Sequence, residues 1–431
     1  YSSYTRPGHQ QVRKRAIDPL VLEKWSEDGD WRVVRGGSWF NAPVQCRSSV
    51  RGYFEATDAG CYLGFSVALD PPEELITAAR EKFERSEAAR ATLKRLADQF
   101  RERRDGRLSV ELNHQRKPLT DEFLTALADL DEPVDLYLHG ELTGEQIAAI
   151  AKPSQSFGLV VPAVGNNITD DGFAPLAVHE DLELLEITGA SNVSDGLFRH
   201  LRNHRRLELL KLDAGGITDE GLLTLPQLDR LETLHLRGTA SQGQVLDHFR
   251  GSPLARFSCD HLSDDGARLL VEFPNLREVN VAGSPISGSG LAHIARLPHL
   301  QTLNLPGCGE LPDADLAVLG NVYRLSNLEL GQTAAGDEAA AGLTRLNHLR
   351  QLRIGSPQLT DAGVRKLCGM VSLHNLTIAA EADHISDAAF VDLWRLVNLR
   401  SFAMAAPNVT GSGFASLHEL PELTWMYVEG A

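Results

Sequence analysis

The sequence predicts an α/β solenoid over its last three quarters, a curved parallel sheet with short helices on its outer side. Three observations carry that prediction. First, the pattern L-x-x-L-x-L recurs at steps of 22 to 26 residues. Its copies are "LELLEI" (182–187), "LELLKL" (207–212), "LETLHL" (231–236), "LARFSC" (254–259), "LREVNV" (276–281), "LQTLNL" (300–305), "LSNLEL" (325–330), "LRQLRI" (349–354), "LHNLTI" (373–378), "LRSFAM" (399–404) and "LTWMYV" (423–428). Second, a helix-start motif falls between copies: "ITDDGF" (168–173), "VSDGLF" (193–198), "ITDEGL" (217–222), "LSDDGA" (262–267), "LTDAGV" (359–364) and "ISDAAF" (385–390). Third, the charge is split. Residues 1–107 hold 19 Lys and Arg against 16 Asp and Glu, whereas residues 108–431 hold 23 against 42, so the acidity behind the net charge of −16 belongs to the repeats.

Each repeat reads as one short strand followed by one short helix. In the helix-start motif Ser or Thr caps by accepting a backbone N–H, and the following acid sits at the positive end of the helix dipole. One acid per helix start accounts for much of the negative charge, in preference to an acidic docking face. Such a surface repels phosphate backbones, which excludes nucleic acid as the expected partner. A single unit cannot bury its own leucine face. Stacked units can, and at roughly 1.5–3 kcal/mol per buried aliphatic side chain a dozen of them outweigh their ordering cost. Weaker copies start at Arg107 ("RLSVEL"), Pro133 ("PVDLYL") and Ser156 ("SFGLVV") and extend the array to 108–431. This array resembles the leucine-rich repeats of bacterial proteins with similar helix starts, in the style of the ribonuclease-inhibitor-like and cysteine-containing classes. The chain starts without Met and stops at "MYVEGA" directly after a strand. The expectation is that both ends are cut, or that a partner covers the C-terminal one.

Residues 71–107 read as a helical connector or cap. Asp70 can cap, Pro71 and Pro72 fit the first turn, and Glu73 completes a capping box. Ile76, Ala79, Phe83, Ala89, Leu93, Leu96 and Phe100 then follow helical spacing. A narrow stripe packed on the first repeats is favoured over a coiled-coil dimer seam, because Ser86 and Arg90 interrupt the heptads.

Residues 1–70 have a different character. The run "RVVRGGSWFN", then "CRSSVRG", then "LGF" resembles the C-terminal signature of the formylglycine-generating-enzyme (sulfatase-modifying factor) family. The matched positions are Arg32, Val33, Arg35, Gly36, Gly37, Ser38, Trp39, Arg47, Ser48, Arg51, Gly64 and Phe65. The resemblance covers about the last quarter of such a domain. It implies family-matched positions at Ser38, Cys46, Arg47 and Arg51, and in the family's oxidases a copper ion held by two cysteines five residues apart. Cys46 matches the second cysteine, but Asn41 stands at the first, and Ser66 and Tyr62 replace the closing arginine and the asparagine before "GF". Copper(I) in such a site wants two thiolates, and one thiol does not supply them. Cys46 then reads as a small buried hydrophobe. The segment is expected to be non-catalytic, with no cofactor. The alternative is an enzyme whose catalytic body lies upstream of residue 1 and binds copper, with the repeats selecting its substrate.

The remaining chemistry is sparse. Cys46, Cys61, Cys259, Cys308 and Cys368 are odd in number and scattered, which fits neither a disulfide framework nor a zinc site. Low cysteine usage favours a reducing cytoplasm, with the cell surface or periplasm open if an upstream signal was removed. No apolar run reaches the eighteen or so residues of a membrane span. His200 and His204 are four apart but ringed by arginines, and read as a solvated face rather than metal ligands. "SGSG" (287–290) and "GSG" (411–413) lack a following Lys and read as helix starts rather than phosphate loops.

What the solenoid offers is its concave sheet face, where side chains between the strand leucines point outward. Lys211, His235, Arg237, Asn280, Asn304, Glu329, Arg353, Thr377 and Tyr427 are the candidate binding residues. They suit a protein or peptide ligand, because curved arrays present extended recognition surfaces. The functional expectation is a recognition or scaffold module of a larger bacterial multi-domain protein, with a structural surface-layer role as a weaker third idea.

Overall fold

A computed structural model describes residues 31–35, 51–55 and 73–429, apart from 104–105, 114–115, 140–142, 151–156, 163–167, 179–181, 310, 380–383, 406–407 and 416. The chain divides into two units, Tyr1–Leu96 with Asp121–Asp131, and Ala97–Thr120 with Glu132–Ala431.

In the first unit, strands β1 (Trp31–Arg35) and β2 (Arg51–Glu55) pair antiparallel, with Arg35 opposite Arg51 and Trp31 opposite Glu55. Helix α1 (Glu73–Leu96) buries Ser86, Ala89 and Leu93, spaced three and four apart along one face. Another element of the same unit, α2 (Asp121–Ala128), buries Phe123, Ala126 and Leu127. The two helices are tied by the Arg95–Glu122 ion pair, by Lys82 on Asp131 at 2.5 Å, and by the Asp131 N–H donating to Ser86 Oγ at 3.2 Å. Ser86 interrupts a heptad because it has this specific partner. The capping box at Asp70–Pro72 lies outside the described residues.

The helical reading of 71–107 is corrected at its C-terminal end. The helix stops at Leu96, and Gln99–Glu102 forms a strand, β3, that pairs antiparallel with β4 (Leu108–Asn113). The reason is local. The Asn113 N–H donates to Asp98 at 2.6 Å, and Gly106 takes the left-handed φ of +85° that closes the hairpin between Arg103 and Arg107. A chain committed to that turn cannot continue as helix.

From β4 onward the second unit is a parallel ladder: β5 (Val134–His139), β6 (Phe157–Pro162), β7 (Leu182–Thr188), β8 (Leu209–Leu212), β9 (Thr233–Leu236), β10 (Arg256–Cys259), β11 (Glu278–Asn280), β12 (Thr302–Asn304), β13 (Asn327–Gly331), β14 (Gln351–Gly355), β15 (Asn375–Ala379), β16 (Ser401–Ala405) and β17 (Trp425–Glu429). With β3 they form one 15-stranded sheet whose spatial order follows the sequence order. The weak copies at Arg107, Pro133 and Ser156 are full members, as β4, β5 and β6.

Register explains the repeat. Leu185, Leu210, Leu234, Phe257, Val279, Leu303, Leu328, Leu352, Leu376 and Phe402 are mutual partners across ten successive strands, and all are buried. The first leucine of every copy from Leu182 to Leu399 is completely buried. A continuous apolar column therefore runs behind the sheet, closed by the short helices. Near its C-terminal end Phe390, Phe402 and Phe414 take over, with ring centroids 5.1 to 6.0 Å apart.

Candidate functional site

Two polar columns accompany the apolar one. The first lies at the helix starts. Ser194, Thr218, Ser287, Thr360 and Ser386 each cap their own helix, their hydroxyl accepting from Gly196, Gly221, Ser289, Ala362 and Ala388 N–H respectively. The same hydroxyl donates backwards to the acid of the preceding repeat. Asp170 accepts the Ser194 N–H at 2.8 Å and its hydroxyl at 2.6 Å, and Asp195 accepts the same groups of Thr218 at 2.8 and 2.7 Å. Asp264 serves Ser287, Asp337 serves Thr360, and Asp361 serves Ser386 in the same way. The motif's glycine has its cause here too. A side chain at Gly221 would run into Asp195, and one at Gly363 into Asp337. Each of these acids sits at its own helix start, as the motif implies, and is also a rung to the next repeat.

Between Asp170 and Thr410, two rungs are missing among the described residues. Gln242 stands where the other motifs carry the acid, and Ser263 donates to its carbonyl instead. The helix from Gly288 also starts without an acid, and the next begins at Pro312, which makes no side-chain cap.

The second polar column is on the open side of the sheet, and it gathers the predicted binding residues. Lys211, His235, Asn280, Asn304, Glu329, Arg353, Thr377 and Tyr427 lie on one row, one per strand, with Ser258 and Ala403 filling β10 and β16. Arg237 lies just past β9, two residues after His235, and is exposed. The row extends in the other direction through Glu186, Val160, Tyr137 and Glu111. Some charges on it are matched: Lys211 contacts Glu186 at 2.6 Å, Arg353 contacts Glu329 at 3.2 Å, and His139, beside the row, contacts Glu111 at 3.1 Å. Beside it, the Asn327 amide donates to Gln351 at 2.7 Å. At the β17 end Trp425 and Tyr427 stack, their rings 6.2 Å apart and 14° from parallel, each about half exposed. Asp135 is fully buried at the other end, where Arg103 and Arg107 both bond it at 2.7 Å and Arg107 also reaches Glu183.

Three residues of this face carry signals that sequence alone did not weigh. Ser258 is buried at 2% exposure, and its hydroxyl lacks a hydrogen-bond partner among the described residues. Arg256 is exposed, its Nε donating to Thr233 Oγ1 at 3.0 Å. Glu186 is the partner of Lys211. Ser258 and Glu186 each stand one strand from a predicted position, and Arg256 lies two residues before Ser258, so register points to all three.

Other candidates resolve simply. His204 is completely buried, which corrects its reading as part of a solvated face, while His200 is partly exposed beside Arg199 and Asp171. Burial first, then Arg199, pushes the His200 imidazole below its usual range. Ser287 in "SGSG" caps its helix. Gly411 and Gly413 in "GSG" donate to Asp387 at 3.0 and 3.2 Å. Among the described residues, no group of three or more His, Cys, Asp or Glu could hold a metal ion. Burial raises the Cys259, Cys308 and Cys368 thiols to about 12, 11 and 12, far from a reactive thiolate. Ser38, Cys46 and Arg47 lie outside the described residues; Arg51 opens β2. No helix among the described residues is long and apolar enough to cross a membrane.

No family model matches the chain. Among solved structures it is similar to an internalin, InlF, of Listeria monocytogenes, at 18% identity over 74% of this chain and 86% of that one, with a TM-score of 0.50. It is also similar to a chain of the yeast Rad7 and Elc1 complex, at 16% identity over 80% of this chain and 86% of that one, with a TM-score of 0.53. At such identities the likeness establishes the fold: the second unit is a leucine-rich-repeat solenoid.

Proposed function

We propose that this protein is a recognition module whose open sheet face holds a protein or peptide partner, within a larger multi-domain protein. One observation carries the reading: a continuous open-face row of side chains, one per strand from β8 to β17, whose chemistry differs from strand to strand. The row is varied in chemistry and exposed or half-exposed apart from Ser258, whereas the apolar column is uniform and buried. Extended arrays of this kind bind through surfaces rather than through a reaction centre. That one similar chain was solved in the Rad7 and Elc1 complex supports a protein as the partner class.

The test is site-specific photocrosslinking of the full chain in extracts of its source cells. A crosslinker at Asn304 or Tyr427 is expected to capture a discrete partner, and one at Arg268 on the helix side is not. Equal capture from both sides would end the reading.

The N-terminal segment belongs, in this proposal, to the closing part of a formylglycine-generating-enzyme-like domain. Its support is the run of matched residues from Arg32 to Phe65. The donor set does not fit the copper site of that family's oxidases, because Asn41 offers a neutral amide where a thiolate is required. No oxidation step is therefore assigned to this chain. Copper-dependent oxidation of a substrate cysteine by the full-length protein, abolished by Cys46→Ser, would favour the enzyme instead.

A further inference from the structure

The charged stretch of the open row differs from the rest in having donors without acceptors. His235 sits in register between Lys211 on β8 and Ser258 on β10. Arg237 follows two residues later on its own chain, and Arg256 lies two residues before Ser258. The Ser258 hydroxyl, on the open-face row by strand alternation, is buried and unpartnered among the described residues. Such a group calls for an acceptor that the chain itself does not provide.

The acids nearby are committed elsewhere or stand off. Glu186 holds Lys211 at 2.6 Å. Asp260 accepts the Gly238 N–H at 2.9 and 3.0 Å, and Asp213 occupies the space beside Gly238. Glu278 is opposite Arg256 in register. Thr233 takes Arg256 Nε, and the rest of that guanidinium has no bonded partner among the described residues. Arg237 has no ion pair among them. The consequence is felt by His235, whose imidazole is pushed down to about 4, first by burial and then by Lys211, Arg256 and Arg237.

We propose that Lys211, His235, Arg237, Arg256 and Ser258 form a carboxylate-recognition site, which takes an Asp or Glu side chain from an acidic segment of a protein partner laid across the open face. The proposal rests on the recognition reading above. A monoanion suits the cluster better than a phosphate dianion, because Glu186, Asp213, Asp260 and Glu278 ring the cations and repel a second negative charge. A bound carboxylate supplies the acceptor that Ser258 lacks, uses the open guanidinium donors, and draws a proton onto His235.

The experiment uses the full chain labelled with 15N-histidine, with the His235 signals assigned from His235→Asn. Probes are hexaglutamate, hexaglutamine and inorganic phosphate. Saturating hexaglutamate is expected to raise the His235 pKa by at least one unit, and hexaglutamine and phosphate to leave it in place. Arg237→Gln and Arg256→Gln, both at exposed positions, should each weaken hexaglutamate binding at least tenfold, and Ser258→Ala about threefold. An unmoved His235, undiminished binding in both arginine variants, or an equal response to phosphate would each overturn the assignment. Should that happen while crosslinks from Asn304 persist, only the carboxylate site falls and the recognition face stands.

Discussion

The helix-start column and the open-face column repeat at the same spacing, yet they reach opposite ends. At the helix starts, Asp337 accepts the Thr360 N–H, the Thr360 hydroxyl and the Gly363 N–H, all within one neighbouring repeat. On the open face, Asn304 and Thr377 occupy equivalent positions on strands three repeats apart and share neither residue type nor a recurring bond. A polar column that most repeats satisfy in the same way is part of the fold. One that changes from strand to strand leaves polar capacity that the repeats do not use in common. Polar identity alone does not separate the two; saturation of hydrogen bonds does.

The contrast can be broken most severely from the helix side. Gly363→Val would drive a branched side chain into Asp337 and Leu359. It should cost about 3 kcal/mol or more, from overpacking together with lost rungs, seen as a lower denaturation midpoint. Asp337→Ala keeps the backbone but orphans two N–H groups and a hydroxyl, and about 2–3 kcal/mol is expected in the same measurement. Thr377→Ala on the open row should change stability by less than about 0.5 kcal/mol. An Asp337→Ala protein as stable as Thr377→Ala would erase the distinction.

Titration sharpens it further. His235 is held down to about 4 in the folded chain, below the ordinary value of 6.5, so the unfolded chain binds its proton first as pH falls. Its contribution is complete above that ordinary value and is lost as pH drops from 6.5 towards 4. His235→Asn should therefore flatten the fall in stability across that window, by urea unfolding at a series of pH values. The smallest effect expected is chemical. With thiols raised to about 12, 11 and 12, Cys259, Cys308 and Cys368 should stay unalkylated by iodoacetamide at pH 8 in the native protein and react after unfolding, as read by mass spectrometry.

The solenoid was legible because its signal is periodic and apolar: Leu234 and Leu303 each specify a buried strand position before any neighbour is known. The open-face row was legible for the same reason, since alternation alone puts His235 and Arg353 on the face opposite the leucines. What alternation cannot supply is distance between repeats. The rung from Asp195 to Thr218 and the orphaned hydroxyl of Ser258 depend on which residues meet across strands, and that is a property of register. His204 misled because a polar residue among arginines looks solvated, although its place just before a strand leucine turns it into the core. The end of α1 was missed because one left-handed glycine, Gly106, outweighed a helical stripe that continued to Phe100.

The two missing rungs, after Gly243 and after Gly288, have a mechanical meaning. In a stack held by nearest-neighbour contacts, cooperativity passes from one module to the next through whatever links them. Where a carboxylate bridge is absent, that coupling rests on packing, sheet pairing and single hydrogen bonds such as that from Ser263 to the Gln242 carbonyl. Between Asp170 and Thr410 the described array is thereby divided into three blocks joined at two seams. Under mild denaturant the amides bordering those seams should be the first interior ones to exchange with deuterated solvent, so that the solenoid yields from within rather than only by fraying at its tips.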